Sequence, residues 1–309
     1  MESVISQITI VMKHAILIMA HRDIQLLKHL VRYFTHDCYV FIHIDKKSRI
    51  TGADVESLIV HPQVCGIYRE YDVHWGGFSM LEAELSLLNH ALSECDADYF
   101  HLISGQDYPI KPLSYFLKFF EERKGLSFIG YDSTPVHRWS MRAQWRYLFF
   151  LPYDRVDARS HEKTKIQKWI NQQVKCRFIR PLPMQFPSLY KGSQWFSIIR
   201  SDAMLLNNYT YYSPSFFERL RYTFAPEETY VTTILANIST TRVENNNLRY
   251  IRWCKENGSN PSILGPEHFS SINESDALFA RKMASPISNM LISQIDCFII
   301  RNSCTYEQT

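Results

Sequence analysis

Apolar positions in this chain follow two alternating rhythms. Residues 14–20 are almost continuously apolar, as in a strand buried on both faces. His21-Arg22-Asp23 interrupts the run, and Ile24, Leu26, Leu27, Leu30, Val31 and Phe34 then recur at helical spacing. A second apolar run, 39–44, ends in His43-Ile44-Asp45-Lys46-Lys47-Ser48. Strand, helix and strand in so short a stretch predict a parallel sheet with right-handed crossovers. Farther on, Trp75-Gly76-Gly77 precedes Met80, Leu81, Leu85, Leu88 and Leu92, one face of a helix, with Glu82 and Glu84 expected outward. Two glycines beside a tryptophan allow close backbone approach.

The stretch 98–112 stands out. Its first half is apolar and aromatic, and then Ser104-Gly105 and two prolines break the pattern. A buried strand that ends in a glycine turn and a proline-locked loop holds polar groups at the carboxyl edge of an α/β sheet, where ligands of such sheets sit. Residues 113–122 read as a helix and 127–130 as a short strand. From 131 to 187 the pattern is irregular, with Trp139, Trp145, Tyr147 and Tyr153 among Arg138, Arg142 and Arg146, and a helical stretch at 163–174. The absence of linker composition at either end predicts an insertion or flap rather than a second domain. Residues 191–199 read as turn then strand, with Asp202 as a cap for the next helix. Pro226-Glu227-Glu228 opens a helix through 237, since a proline followed by acids suits a first helical turn. A late strand is predicted at 248–253, a loop with Gly258 after it, a helical stretch ending at Arg281-Lys282, and a last strong element at 287–300.

Composition narrows the class. A net charge of +3 gives no case for nucleic acid. Aromatic residues make up 14% of the chain, which suits either a large core or sugar stacking. The seven cysteines show no CxxC spacing, so a zinc or thioredoxin-like site lacks support, and an odd scattered set reads as reduced thiols in a cytoplasm. The apolar positions near residues 8–12 are broken by Lys13 and His14, too short for a membrane span, which leaves room for peripheral membrane contact only. No GxGxxG follows the first strand and no GxxxxGK[ST] occurs, so the common dinucleotide and P-loop readings fail.

Six stretches in order resemble one family: Ile42 to Ser48, Trp75-Gly76-Gly77, Ser104 to Lys111, Gly192-Ser193-Gln194-Trp195-Phe196, Pro226-Glu227-Glu228, and Phe279-Ala280-Arg281-Lys282. Together they look like the core-2/I-branching β-1,6-N-acetylglucosaminyltransferases and the related peptide O-xylosyltransferases, over roughly residues 14 to 284. The resemblance implies an α/β chain of GT-A fold, a Rossmann-like and mostly parallel sheet flanked by helices. It implies one domain over 1–309, with a nucleotide-sugar half at 14–130, the flap at 131–190, and an acceptor and catalytic half at 191–300. It implies inverting transfer from a UDP-sugar to a hydroxyl, with no divalent metal and no other cofactor.

Residue by residue, the resemblance implies Glu228 as catalytic base, with Glu227 the adjacent alternative. Successive helical residues diverge, so only one of the two can face an acceptor. Arg281 and Lys282 match the basic pair that offsets charge on the leaving UDP, as fixed cations can. Ile18, Asp45, Lys47 and Trp75 match donor-binding positions. Trp253 matches an acceptor-side tryptophan, and Asp107, Ser193 and Gln194 fall near the expected acceptor cleft. Asp96-Ala97-Asp98 has the letters of a metal-binding DxD but precedes its strand, and so belongs to the wrong edge. The xylosyltransferases carry an acid at Gln194, and animal branching enzymes use lumenal disulfides and an anchor. The expectation is therefore a bacterial-type cytoplasmic enzyme acting on a glycan, with N-acetylglucosamine as the donor sugar. The rivals are a xylosyltransferase and a glycan-binding protein of the same fold without catalysis.

Overall fold

The computed structural model describes residues 12–306 except 36, 142, 156–162, 181–186 and 255–259. Arg142, the Gly258 turn and the first apolar positions before Met12 lie outside the described residues.

The first third is the expected alternation. It runs β1 His14–Ala20, α1 Ile24–Tyr33, β2 Cys38–Ile44, α2 Gly52–Ile59, β3 Val64–Tyr68, α3 Phe78–Glu94 and β4 Tyr99–Ser104. Then come β5 Asp107–Pro109, α4 Leu113–Glu121 and β6 Leu126–Tyr131. The flap carries α5 Trp145–Leu148 and α6 Lys163–Lys175. The remainder is β7 Gly192–Ile199, α7 Arg200–Tyr212, α8 Pro214–Leu220, α9 Glu227–Ile238, β8 Arg242–Asn245, β9 Arg249–Ile251, α10 Phe269–Asn273, β10 Phe279–Arg281 and α11 Asn289–Tyr306.

Seven strands form the main sheet in the order β3-β2-β1-β4-β7-β6-β8. β1 to β4 are mutually parallel, β8 runs parallel to β6, and only β7 is antiparallel to its neighbours β4 and β6. This is the mostly parallel α/β sheet expected of the GT-A class. Strand alternation sorts β1 cleanly. Ala15, Leu17 and Met19 enter one core layer with α3 and the later helices, while Ile16, Ile18 and Ala20 enter the other with α1 and α4. Register aligns the strand ends: Met19 lies level with His43 on one side and Ser104 on the other. The carboxyl edge therefore presents β1, β2 and β4 as one rim.

A second sheet, β5-β10-β9, stands beside that rim. It corrects two expectations. Arg281 and Lys282 were expected at a helix end, but Arg281 closes strand β10, whose partner β5 lies far away in sequence. The late strand covers only Arg249–Ile251, so Trp253 lies beyond it and bridges to Pro261. Pairings between segments so distant leave no local periodicity to read.

Two polar residues also differ from expectation. Glu84 is buried, not outward, because α3 is packed on by α7 and α9 as well as by the sheet. Asp202 does not cap α7. It sits in the first turn, where the N-cap is Ile199, and its buried carboxylate accepts from the Ser127, Ser239 and Thr241 hydroxyls at 2.5, 2.8 and 2.7 Å.

Candidate functional site

The cleft at the carboxyl rim is built from the turns after each strand. Ala20 ends β1 and His21 follows it, His43, Asp45 and Lys47 come from β2 and its exit, and Ser104 ends β4 with Gln106 just beyond. Val73, Trp75 and Met80 close one side, and Gln194, Trp195, Arg281 and Lys282 the other. Asp45, Lys47, Trp75, Arg281 and Lys282 are thus brought together around one cleft. Ile18 is not. It is wholly buried in the core layer under the cleft, since its place in β1 points it away from the Met19 face.

Asp45 and Lys47 brace the loop above them. Asp45 Oδ1 accepts from the Lys47 and Val73 backbone amides at 3.0 and 3.2 Å, and Lys47 Nζ donates to Val73 O at 2.8 Å. The loop continues to Gly76, whose φ of +77° is open to glycine at little cost. A side chain there would also collide with the Phe224 ring. Trp75 meets the same ring edge-on at 5.4 Å, while Trp145 and Tyr153 of the flap pack on it at 5.6 and 4.9 Å. Much of the local aromatic content therefore holds the flap to the cleft wall.

Arg281 is held on two sides. Asp107 Oδ1 lies 3.4 Å from its Nη1, and its guanidinium stacks 4.2 Å from the Trp195 ring centre. Burial pulls its pKa below the usual guanidinium value and Asp107 opposes that pull. Asp107 itself is fully buried and accepts from the Ser104 amide at 3.0 Å. It cannot touch an acceptor, so the expected acceptor role gives way to that of a brace behind Arg281. Burial is the reason: β5 pairs with β10 at Asp107↔Arg281, which turns the carboxylate into the protein.

Glu227 and Glu228 open α9 and diverge. Glu227 is 6% exposed, whereas the side chain of Glu228 is 31% exposed. Glu228 Oε2 pairs with Arg146 Nη1 at 3.1 Å and Lys191 Nζ at 3.3 Å. Both partners line a second hollow, together with Ser193, Trp139 and Asn247. Ser193 accepts from Asn247 Nδ2 at 3.2 Å. The start of β7 is the wall between the two hollows: Ser193 faces the one with Arg146 and Lys191, while Gln194 and Trp195 face the cleft. Gln194 therefore shares the rim cleft with Arg281 and Lys282 and is parted from Ser193. Trp253 lines neither hollow and is 60% exposed.

Asp96 and Asp98 lie at the opposite sheet edge. Asp96 pairs with Lys13 Nζ at 2.8 Å and Asp98 accepts from the Lys13 amide at 2.9 Å. Among the described residues, Cys38, Cys65, Cys95, Cys176, Cys254 and Cys297 are free thiols.

Sequence reading missed His21, His43, Trp195, Arg146 and Lys191. His43 and Trp195 stood inside quoted motifs, and their strand phase was the available signal. Arg146 lies in the irregular flap, where no periodicity indicates which cation turns inward.

A family model described as Core-2/I-Branching enzyme matches residues 15–273. Xylosyltransferase 1 of Rattus norvegicus is 23% identical over 304 residues, covering 86% of this chain and 32% of that protein. Xylosyltransferase 2 of Mus musculus is 23% identical over 306 residues, covering 91% and 33% respectively. The chain spans about a third of the length of these curated relatives. Among solved structures, TarS of S. aureus gives a TM-score of 0.31 at 14% identity, over 38% of this chain and 21% of that one. The 4-diphosphocytidyl-2C-methyl-D-erythritol synthase from Anaerococcus prevotii gives 0.35 at 9% identity, over 75% and 86%. Both structural likenesses are slight, whereas the family match spans Glu228 and the cleft residues other than Arg281 and Lys282. The chain belongs to the Core-2/I-Branching enzyme family.

Proposed function

We propose that this chain is an inverting, metal-independent glycosyltransferase that moves N-acetylglucosamine from a UDP-sugar to a hydroxyl of a glycan acceptor. The observation that carries the reading is the division of labour across β7. Two cations, Arg281 and Lys282, border the rim cleft, and a partly exposed carboxylate, Glu228, is paired with Arg146 and Lys191, which line the hollow beyond the start of β7. An inverting displacement puts nucleophile and leaving group on opposite faces of one sugar carbon, so the reading requires the bound sugar to lie where the two hollows meet at the start of β7.

In the reaction, the acceptor oxygen bonds to the anomeric carbon as the carbon–oxygen bond to UDP breaks. Glu228 takes the hydroxyl proton. UDP leaves with the bonding electrons, and Arg281 with Lys282 offsets the charge that develops on its phosphates. Asp107 and Trp195 fix Arg281 so that little reorganisation is needed. Arg146 and Lys191 hold the Glu228 carboxylate at Oε2, and neither of these contacts involves Oε1.

Glu228→Gln tests the assignment. It keeps UDP affinity and lowers transfer by roughly 10²- to 10⁴-fold, the usual share of a positioned base. Undiminished transfer in this variant would remove Glu228 from the mechanism. Turnover is expected to persist in excess chelator, and strict dependence on added Mn²⁺ would reject metal independence. The names of the curated relatives favour a second reading, UDP-xylose as donor. A thermal-shift screen of UDP-sugars separates the two donors, since a ligand of the native state raises Tm by mass action. A glycan-binding protein without catalysis would show no slow hydrolysis of any UDP-sugar.

A further inference from the structure

Residues 163–180 carry six lysines and arginines and no acid, while the whole chain sums to only +3. The rest of the molecule is therefore net negative, and this segment is a local concentration of positive charge. α6 turns Ile166 and Gln173 inward. Lys168 and Lys175 project outward from the opposite side, both exposed.

The same segment exposes large apolar groups. Trp169 is 51% exposed, Val174 54%, Phe178 51% and Ile179 47%. They are not loosely held. After α6, Arg177 takes a left-handed conformation with φ of +51°, and the Phe178 amide donates back to Gln173 O at 2.8 Å. That turn folds Phe178 against Phe150, with ring centres 5.4 Å apart and 27° between planes. Trp169 Nε1 donates to Phe150 O at 2.8 Å, so Phe150 joins the two exposed rings on one side of the segment. Arg180 anchors the exit. It is buried and donates to Phe149 O, Tyr222 O and Arg219 O at 3.4, 3.3 and 2.6 Å. The result is a rigid surface that presents half-exposed aromatic rings beside exposed cations.

We propose that this face seats the protein on an anionic lipid surface. Trp169 and Phe178 enter the headgroup boundary, and Lys168, Lys175 and Arg177 lie against the phosphates. Aromatic rings with one wet edge and basic side chains on apolar stems are the groups that settle at such a boundary. The absence of any acid in the segment gives the charge complementarity. A soluble polyanion would match the cations but leave Val174 and Ile179 without use. Spanning is not involved: α6 has 13 residues, and no helix among the described residues is long and apolar enough to cross a membrane.

Flotation of the full chain with lipid vesicles tests this. The chain should float with vesicles of phosphatidylcholine mixed with phosphatidylglycerol at low salt. It should stay behind with phosphatidylcholine alone, and release as salt rises. Trp169→Ala/Phe178→Ala and Lys168→Glu/Lys175→Glu should each lower the partition coefficient roughly tenfold or more. Lys118→Glu/Lys124→Glu, an equal charge change elsewhere on the surface, should leave it unaltered. Circular dichroism and UDP-induced thermal shift should match the parent in every variant. No flotation with anionic vesicles, or equal loss in the Lys118/Lys124 control, would overturn the proposal. So would binding to dextran sulfate with vesicle flotation unaffected by loss of the two rings, which would mark the face as a polyanion site.

Discussion

Glu84 and Glu227 are ionisable residues buried where α3 meets α9. Neither oxygen of Glu84 has a hydrogen-bond partner, nor does Oε2 of Glu227. Burial, and then the nearby Glu227 carboxyl, hold Glu84 well above the usual carboxylate pKa. Burial, and then Glu228, push Glu227 up to about 8. A carboxyl whose pKa rises on folding stabilises fully below its unfolded value and loses that contribution as pH climbs through its folded value. For Glu227 the loss spans about pH 4.5 to about 8. Glu227→Gln keeps the shape without that titrating acid, so its urea midpoint relative to the parent should rise steadily across that window. A constant offset between the two proteins would show that the Glu227 carboxyl does not titrate on folding. Sequence periodicity placed Glu84 outward because Glu82 and Glu84 flank one apolar stripe. Only the helices packed against α3 from other sides show that the stripe is wider. The same scale gives the opposite lesson at Glu227 and Glu228: two adjacent acids must diverge on a helix, and the structure turns Glu228 outward.

Among the elements, α3 depends on the flap. Its N-cap is Gly77, which has no side chain to offer. Asp154, far along the chain, supplies the cap instead. Its carboxylate accepts from the Phe78 amide at 3.0 Å, the Ser79 amide at 3.0 Å and the Ser79 hydroxyl at 2.7 Å. A carboxylate at a helix N-terminus also complements the dipole. Asp154→Ala should cost about 1–2 kcal/mol, the range for lost caps, and lower Tm by a few degrees. It should also raise the KM for the UDP-sugar, because α3 follows directly on the Trp75 loop. Calorimetry and donor titration would check both, and an unchanged Tm would dismiss the cap. Lack of linker composition favoured an insertion over a second domain, and in the structure Trp145 and Tyr153 of that segment pack on Phe224. Which residue ties it down was not readable, because one aspartate among loop residues carries no period.

Over the whole molecule, the main sheet encloses two histidines in contact. His14 of β1 and His101 of β4 are both fully buried, with Nδ1 and Nε2 3.0 Å apart, among Tyr99, Phe116 and Phe120. One imidazole can donate to the other as long as at least one of the two is neutral and offers an acceptor nitrogen. Burial lowers His14 to about 4 and His101 well below the usual value. A histidine pKa depressed by folding stabilises above the unfolded value, about 6.5, and the contribution is lost as pH falls through the folded value. The shift at His14 corresponds to about 3 kcal/mol. Global stability should therefore drop steeply between about pH 6.5 and 4. A His14→Phe/His101→Phe variant should show a shallower decline in chemical denaturation, and parallel curves would contradict the assignment.

The sequence by itself determined the βαβ opening, the strand that ends at Ser104, the helix start at Pro226-Glu227-Glu228 and, through six motifs in order, the family. Those features are set by short-range periodicity, turn chemistry and residue identity, which act within one or two elements. Tertiary structure alone decided that Arg281 ends a strand, that Asp107 braces it from within, that Ile18 and Trp253 stand apart from the cleft, and that Arg146 and Lys191 hold Glu228. Each of these depends on pairing between segments distant in the chain, and such pairing leaves no trace in the local order of residues because it is fixed only when the core closes.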